Sequence, residues 1–306
     1  YTTLFRSFLA VGAVAAAAAT PPETQITPQL RAQIAGLGNQ LGVDFGYALA
    51  PLASDQVERG GRLVSVRAWS TIKVPISAGF LEQRRVERGA ISGYAVSTKT
   101  ERRWIDKAIR YSDNTAPYSL FIRSLKAAGR DGAIASIENL FRKSGDQRTR
   151  LNVAADVSNG IDSGLTKWRL ADSVRFYRAL ATGCLLMPRD TSFLLQMMRS
   201  IIGSNWGVFQ AGYPLGTSIA YKVGVAEPEL VKGGKRVLVQ QAAVIGGLPD
   251  GYALTIAALP RTGSGNSVSA AVIRAENAAT DLVRLIARTL AFPAVGIPAT
   301  PACPNK

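Results

Sequence analysis

Trp69-Ser70-Thr71-Ile72-Lys73-Val74-Pro75 follows a strand-like segment, Arg62-Leu63-Val64-Ser65-Val66-Arg67, and opens an apolar run through Phe80 and Leu81. This order predicts Ser70 at a helix N-terminus, where unpaired backbone N–H groups and the positive dipole end favour developing negative charge. Lys73 follows three residues later, about one turn away on the same face. A hydroxyl with an amine in reach is the minimum set for a serine nucleophile activated by lysine. Pro75 is compatible, because proline is tolerated in a helix's first turn. Alone the pattern is weak: Ser-x-x-Lys arises by chance about once in a chain of this length.

Composition narrows the chemistry. The 306 residues are 47% apolar, enough for one large domain or two lobes sharing a core. Histidine is absent, which excludes Ser-His-Asp triads, Cys-His dyads and His-based metal sites. Two cysteines, Cys184 and Cys303, do not make a thiolate zinc site. Hydrolytic chemistry would fall to Lys, Asp, Glu, Tyr or backbone groups, and no cofactor or metal is implied. The net charge is +15, from 36 basic and 21 acidic residues. It serves solubility, or attracts anionic material such as cell-wall polymers. No basic block carries interleaved aromatics, so nucleic acid is not an expected partner.

Leu9 to Ala19 is a short apolar run of small residues, preceded by Arg6 and followed by Thr20-Pro21-Pro22. It is too short to span a membrane comfortably but fits the hydrophobic part of a secretory signal cut near Ala19. Residues 1–19 are therefore expected to be a signal peptide, and the protein to be secreted or wall-associated without stable membrane insertion afterwards. The chain as written starts at Tyr1 without an initiator Met, so its true N-terminus is not read from it. Export makes a Cys184–Cys303 disulfide possible, tethering the Pro-rich tail (293–306); two free thiols are equally consistent.

Thr27 to Leu41 has apolar residues at helical spacing. Val43 to Leu52 and Arg62 to Ala68 alternate like two strands around a polar turn at 54–61. Helical patterns follow over Glu101–Tyr111, Thr115–Ala128, Gly132–Arg142, Leu170–Thr182 and Thr191–Ile202, interrupted by an aperiodic stretch from Asp146 to Leu165. Three strands, Thr217–Val225, Arg236–Ile245 and Tyr252–Leu259, precede a long final helix over Ser267–Ala291. The order predicts an α/β (α+β) fold. An antiparallel sheet of about five strands is flanked by N- and C-terminal helices, with an all-helical lobe inserted. The expected division is an α/β lobe (27–69 and 212–292) and a helical lobe (70–211), with Ser70 at the seam, where clefts commonly hold small molecules.

Two further motifs lie downstream. Tyr111-Ser112-Asp113-Asn114 sits at a predicted helix end, and Lys222-Val223-Gly224 inside a predicted strand. Ser70-x-x-Lys73, Ser112-Asp113-Asn114 and Lys222-x-Gly224, in this order on these elements, resemble the serine penicillin-recognising enzymes and in particular the class A β-lactamases. The resemblance covers roughly residues 30–292. It implies Ser70 as nucleophile, Lys73 as its base, Ser112 and Lys222 as proton-relay partners, and Asn114 as an orienting and substrate-binding group. It further implies an oxyanion hole from the N–H groups of Ser70 and Val225 beside Gly224, with Asp113 bracing the loop. Without the ordered set, Ser70 and Ser112 would read as cap or turn residues and Lys222 as a solvated strand lysine.

Two departures from that pattern matter. The resembled family has a hydroxyl residue between the lysine and the glycine, and here it is Val223. The family's loop also carries Glu-x-x-x-Asn, whose glutamate activates the deacylating water. The matching piece here is Arg148-Thr149-Arg150-Leu151-Asn152, so Asn152 fits as a substrate-binding residue but Arg148 stands at the glutamate position. A cation there would lie beside Lys73, lower its pKa and favour acylation without serving deacylation, unless Asp146 or Asp156 substitutes as base. The stretch from Ser70 to Ser112 is also shorter than usual for the family. The expectation is an exported, monomeric serine hydrolase acting on β-lactams through an acyl-enzyme. A D,D-peptidase or esterase acting on a wall peptide or ester, and a non-catalytic wall-associated binding protein, are the alternatives.

Overall fold

The computed structural model describes residues 26–153, 163–248, 250–290 and 303. The signal-peptide expectation, Asp156, and the tail apart from Cys303 lie outside them. Helix α1 (Pro28–Leu41) is capped by the Thr27 hydroxyl, which accepts from the Leu30 N–H, and ends on Gly42 in the left-handed region. Strand β1 (Val43–Pro51) follows, then β2 (Glu58–Gly61), β3 (Ser65–Arg67), a 3₁₀ turn (Trp69–Ile72) and α2 (Lys73–Glu87). Helices α3 (Gly93–Val96), α4 (Lys99–Arg110) and α5 (Thr115–Lys143) come next, then β4 (Lys167–Arg169), α6 (Leu170–Ala181) and α7 (Pro188–Arg199). The chain closes with β5 (Ile219–Val225), a hairpin of β6 (Glu229–Val231) and β7 (Gly234–Arg236), β8 (Val239–Ile245), β9 (Tyr252–Pro260) and α8 (Val268–Thr289).

Five strands form an antiparallel sheet in the order β2-β1-β9-β8-β5. Alternation along the strands makes two unlike faces. On β1, Phe45, Tyr47 and Leu49 join a core with α1 and α8, whereas Ala48 and Ala50 face the other way. That second face is built largely of alanines (Ala48, Ala50, Ala220, Ala242, Ala253, Ala257), whose small side chains let α6 lie close to the sheet. The same core continues through Ile72, Val74, Phe80 and Leu81 of the Ser70 segment into α4 and α5.

The fifth strand is not where alternation placed it. Arg62–Ala68 does not pair with β1; Glu58–Gly61 does, and Ser65–Arg67 turns away to pair with β4. At the crossing, both Arg62 and Leu63 N–H donate to the Phe45 carbonyl. A Cβ on Gly46 would come within 1.9 Å of the Leu63 carbonyl oxygen, so only glycine fits beneath the departing chain. Glu58-Arg59-Gly60-Gly61 has the polar, glycine-rich composition of a turn because it is a partly exposed edge strand with no apolar face to display. The two helices predicted over 115–142 are α5 on either side of Gly129, which has φ of 70°. Cys184 and Cys303 form a disulfide. No described helix is long and apolar enough to cross a membrane.

Pro75 creates a local problem that the fold answers. In a continued helix the Thr71 carbonyl would accept from residue 75, but proline has no N–H. Tyr177 on α6 supplies the missing donor: its hydroxyl reaches Thr71 O at 2.9 Å in a fully buried setting. Tyr177→Phe is expected to remove this buried hydrogen bond, leaving the carbonyl only the Lys73 N–H, and to lower unfolding free energy by about 0.5–1.5 kcal/mol, measured by urea denaturation at constant m-value.

Candidate active site

Ser70 lies in the 3₁₀ turn and Lys73 is the first residue of α2, so the α-helix begins three residues later than the periodicity suggests. The turn is held from three sides. The Ala68 N–H donates to the Thr166 carbonyl, the Thr71 hydroxyl to Ala68 O, and the buried Gln240 amide on β8 to the carbonyls of Arg67 and Ala68. Of the non-glycine residues described, two have positive φ: Trp69 (43°), preceding Ser70, and Ser112 (55°). Left-handed backbone at a bulky residue costs of order 1 kcal/mol or more, and here it occurs both beside Ser70 and at the serine that the two lysines share.

Lys73 is 5% exposed, and its amine donates to the Ser112 carbonyl at 2.5 Å, to Asn114 Oδ1 at 2.7 Å and to Ser112 Oγ at 3.4 Å. Lys222 on β5 is completely buried and donates to the same Ser112 Oγ at 2.9 Å and to Val223 O at 3.3 Å. Ser112 Oγ therefore bridges two buried amines. Burial pushes Lys73 down to about 8, opposed by the nearby Asp113 carboxylate. Burial, and then the neighbouring Lys73, push Lys222 down to about 7. A neutral Lys73 satisfies Ser112 O and Asn114 Oδ1 with its two N–H bonds and keeps a lone pair to accept a proton. Asp113 is held by Thr115 Oγ1 and by the backbone N–H groups of Thr115 and Ala116, which keep its carboxyl below the usual range and brace the loop.

Gly224 is set by close approach: a Cβ there would come within 2.8 Å of Gln240 Nε2 and 3.1 Å of Ala68 O. This glycine lets edge strand β5 lie against the Ser70 turn. Ala226 N–H donates to Leu238 O across the ladder, so by alternation Val225, opposite Val239, directs its N–H away from β8 to the open edge. The Ser70 N–H lies in the first turn of a 3₁₀ helix, where no intrahelical acceptor is available. Ser70 is half-buried, and its Oγ makes no hydrogen bond to a described residue. Val223 is buried in the core on the α8 side and offers no hydroxyl.

The loop after α5 departs from expectation. Arg148 is exposed and faces a separate cavity with Arg59, Asp172 and Arg175; its charge is felt at Asp172, and it is not among the groups that shift Lys73. The lowering of Lys73 thus comes from burial and not from Arg148. Asp146 is unavailable as a base: it is fully buried, accepting from the Arg148 and Thr149 N–H groups and from Trp168 Nε1. Asn152 has an exposed side chain; its N–H donates to Thr166 Oγ1, the residue whose carbonyl holds Ala68. Among the described residues no carboxylate hydrogen-bonds Ser70 or Lys73. Gln240 and Tyr177 were not singled out from sequence; the signal for the first was two consecutive glutamines inside an otherwise apolar strand.

Solved structures match this arrangement of elements. The class A β-lactamase of Mycobacterium abscessus superposes with a TM-score of 0.62 at 20% identity, over 85% of this chain and 98% of that one. The fold is that of the class A β-lactamases. A β-lactamase from Streptosporangium roseum gives 0.63 at 19% identity, covering 86% of this chain and 99% of its own. An ancestral (GNCA) class A β-lactamase gives 0.61 at 19% identity, covering 85% of this chain and 100% of its own. No family model and no curated protein sequence matches the chain.

The lysine burial has a measurable consequence for stability. With the native Lys222 near 7 and the unfolded chain near 10.5, the unfolded state binds the extra proton between those values, so stability rises with pH across that window. Lys222→Met removes this contribution. The variant's melting temperature relative to the parent is expected to be higher at pH 6 than at pH 10, and an equal offset at both would mean that Lys222 is not neutralised by folding.

Proposed function

We propose that the protein is an exported serine hydrolase that forms an acyl-enzyme at Ser70, with Lys73 as general base and β-lactams as the substrate class. The observation that carries the reading is the Ser112 hydroxyl held between two buried, pKa-lowered lysines. Ser70 attacks the carbonyl as Lys73 takes its proton. The carbonyl oxygen becomes an oxyanion facing the N–H groups of Ser70 and Val225, and the proton returns to the leaving nitrogen through Ser112, with Lys222 behind it. Asn114 holds Lys73 and is free to orient an amide of the substrate.

Deacylation is the slower half in this reading. Asp146 is spent on loop structure, Arg148 accepts no proton, and no described carboxylate bonds Ser70 or Lys73. A D,D-peptidase or esterase on the same scaffold is the second reading. Val223 favours it, because the position that would offer a hydroxyl to a β-lactam carboxylate is packed into the core.

Intact-protein mass followed over time with a penicillin, beside Ser70→Ala, tests both. A drug-sized adduct on the parent and none on Ser70→Ala is expected, persisting for hours; decay within minutes would overturn slow deacylation. No adduct with any β-lactam, but turnover of small esters, would favour the second reading. Binding unchanged in Ser70→Ala without any turnover would indicate a non-catalytic wall-binding protein. Adduct formation is expected to rise with pH to a plateau above about 8, as Lys73 loses its proton, and Lys73→Ala to slow it by about 10²–10⁴-fold.

A further inference from the structure

The loop after α5 meets β2, β4 and the start of α6 around a cavity of about 490 Å³. Four arginines, Arg59, Arg148, Arg169 and Arg175, are among the residues lining it, with a single acidic residue, Asp172. Arg175 pairs with Asp172 Oδ1 at 2.8 Å, whereas Arg59, Arg148 and Arg169 make no ion pair with a described residue. Asp172 is 6% exposed, and its second oxygen, Oδ2, is buried with no hydrogen-bond partner. None of these residues belongs to the Ser70 site.

We propose that this cavity is a binding site for a phosphate ester carrying a neighbouring hydroxyl, of the polyol-phosphate type. Guanidinium forks match phosphate oxygens in bidentate fashion, and a phosphate presents enough oxygens to engage several at once. Burial and then Asp146 raise the Asp172 pKa, and Arg175 and Arg148 oppose this; as a carboxylate its unfilled oxygen only accepts, so it repels a second phosphate oxygen and accepts a hydrogen bond from a hydroxyl instead. A buried acceptor without a partner costs free energy, which a ligand hydroxyl would recover. The α6 N-terminus, at Leu170, adds its positive dipole end beside the arginines. The site also gives the net charge of +15 one local address, separate from diffuse attraction to anionic surfaces.

The test is calorimetric titration at fixed low ionic strength with glycerol 3-phosphate, inorganic phosphate, glycerol and the diester glycerophosphoglycerol. Glycerol 3-phosphate is expected to bind more tightly than inorganic phosphate, and glycerol alone not to bind. Binding of the diester as well would identify phosphodiester polymers as the source, and its failure a free phosphomonoester. Arg148→Ala/Arg169→Ala is expected to weaken binding about tenfold or more. Arg88→Ala/Arg103→Ala removes the same charge elsewhere and should leave affinity unchanged. Asp172→Asn is expected to strengthen inorganic phosphate while reducing the preference for the hydroxylated ester, a change of selectivity that a merely structural aspartate would not produce. Ser70→Ala should bind like the parent. No binding of glycerol 3-phosphate at about 10 mM, or equal weakening by the two arginine pairs, would overturn the proposal.

Discussion

Two lysine amines buried around one serine hydroxyl are the constraint on which the rest of the molecule depends. A charged ammonium out of water is costly unless paired, and among the described residues no carboxylate forms an ion pair with Lys73 or Lys222. The fold meets this by letting the amines approach neutrality and by surrounding them with oxygen acceptors: Ser112 O, Ser112 Oγ, Asn114 Oδ1 and Val223 O. In a chain without histidine, burial brings these two amines toward the range in which an imidazole titrates. The price is a protein less stable at neutral pH than one with apolar residues there, the usual relation between a functional site and stability.

Holding the amines in place requires three elements distant in sequence to meet with little slack. Gly224 lets β5 touch the Ser70 turn, Gln240 ties that turn to β8, and Tyr177 replaces the hydrogen bond that Pro75 cannot make. The positive φ values of Trp69 and Ser112 are local strain that these contacts override. Proline and left-handed backbone, each unfavourable alone, become tolerable because buried hydrogen bonds from other elements satisfy the groups they expose.

The loop after α5 separates this chain from the pattern its motifs resemble. Asp146 organises it from within, through two backbone N–H groups and the Trp168 indole. Because the aspartate is consumed there, Arg148 turns outward to the arginine cavity and is kept apart from the lysines. One loop thus leaves the serine site without a described carboxylate partner and builds a separate, strongly basic surface.

Periodicity and residue chemistry by themselves determined the class of fold, the run of helices and strands, and the small set of groups able to carry chemistry once histidine was absent. These are local properties: side-chain spacing reports which face of an element is apolar, and glycine or proline reports where it ends. Ser70, Lys73, Ser112, Asn114, Lys222 and Gly224 could be named from motif order; hydrogen bonds join Lys73, Ser112, Asn114 and Lys222, and the Gly224 strand lies against the Ser70 turn. Tertiary structure alone decided the rest. It paired Cys184 with Cys303, placed the fifth strand at Glu58–Gly61, turned Arg148 away from Lys73 and buried both lysines. Each of these depends on what lies across space, and neither a side chain's direction nor its loss of water is encoded in its immediate neighbours along the chain.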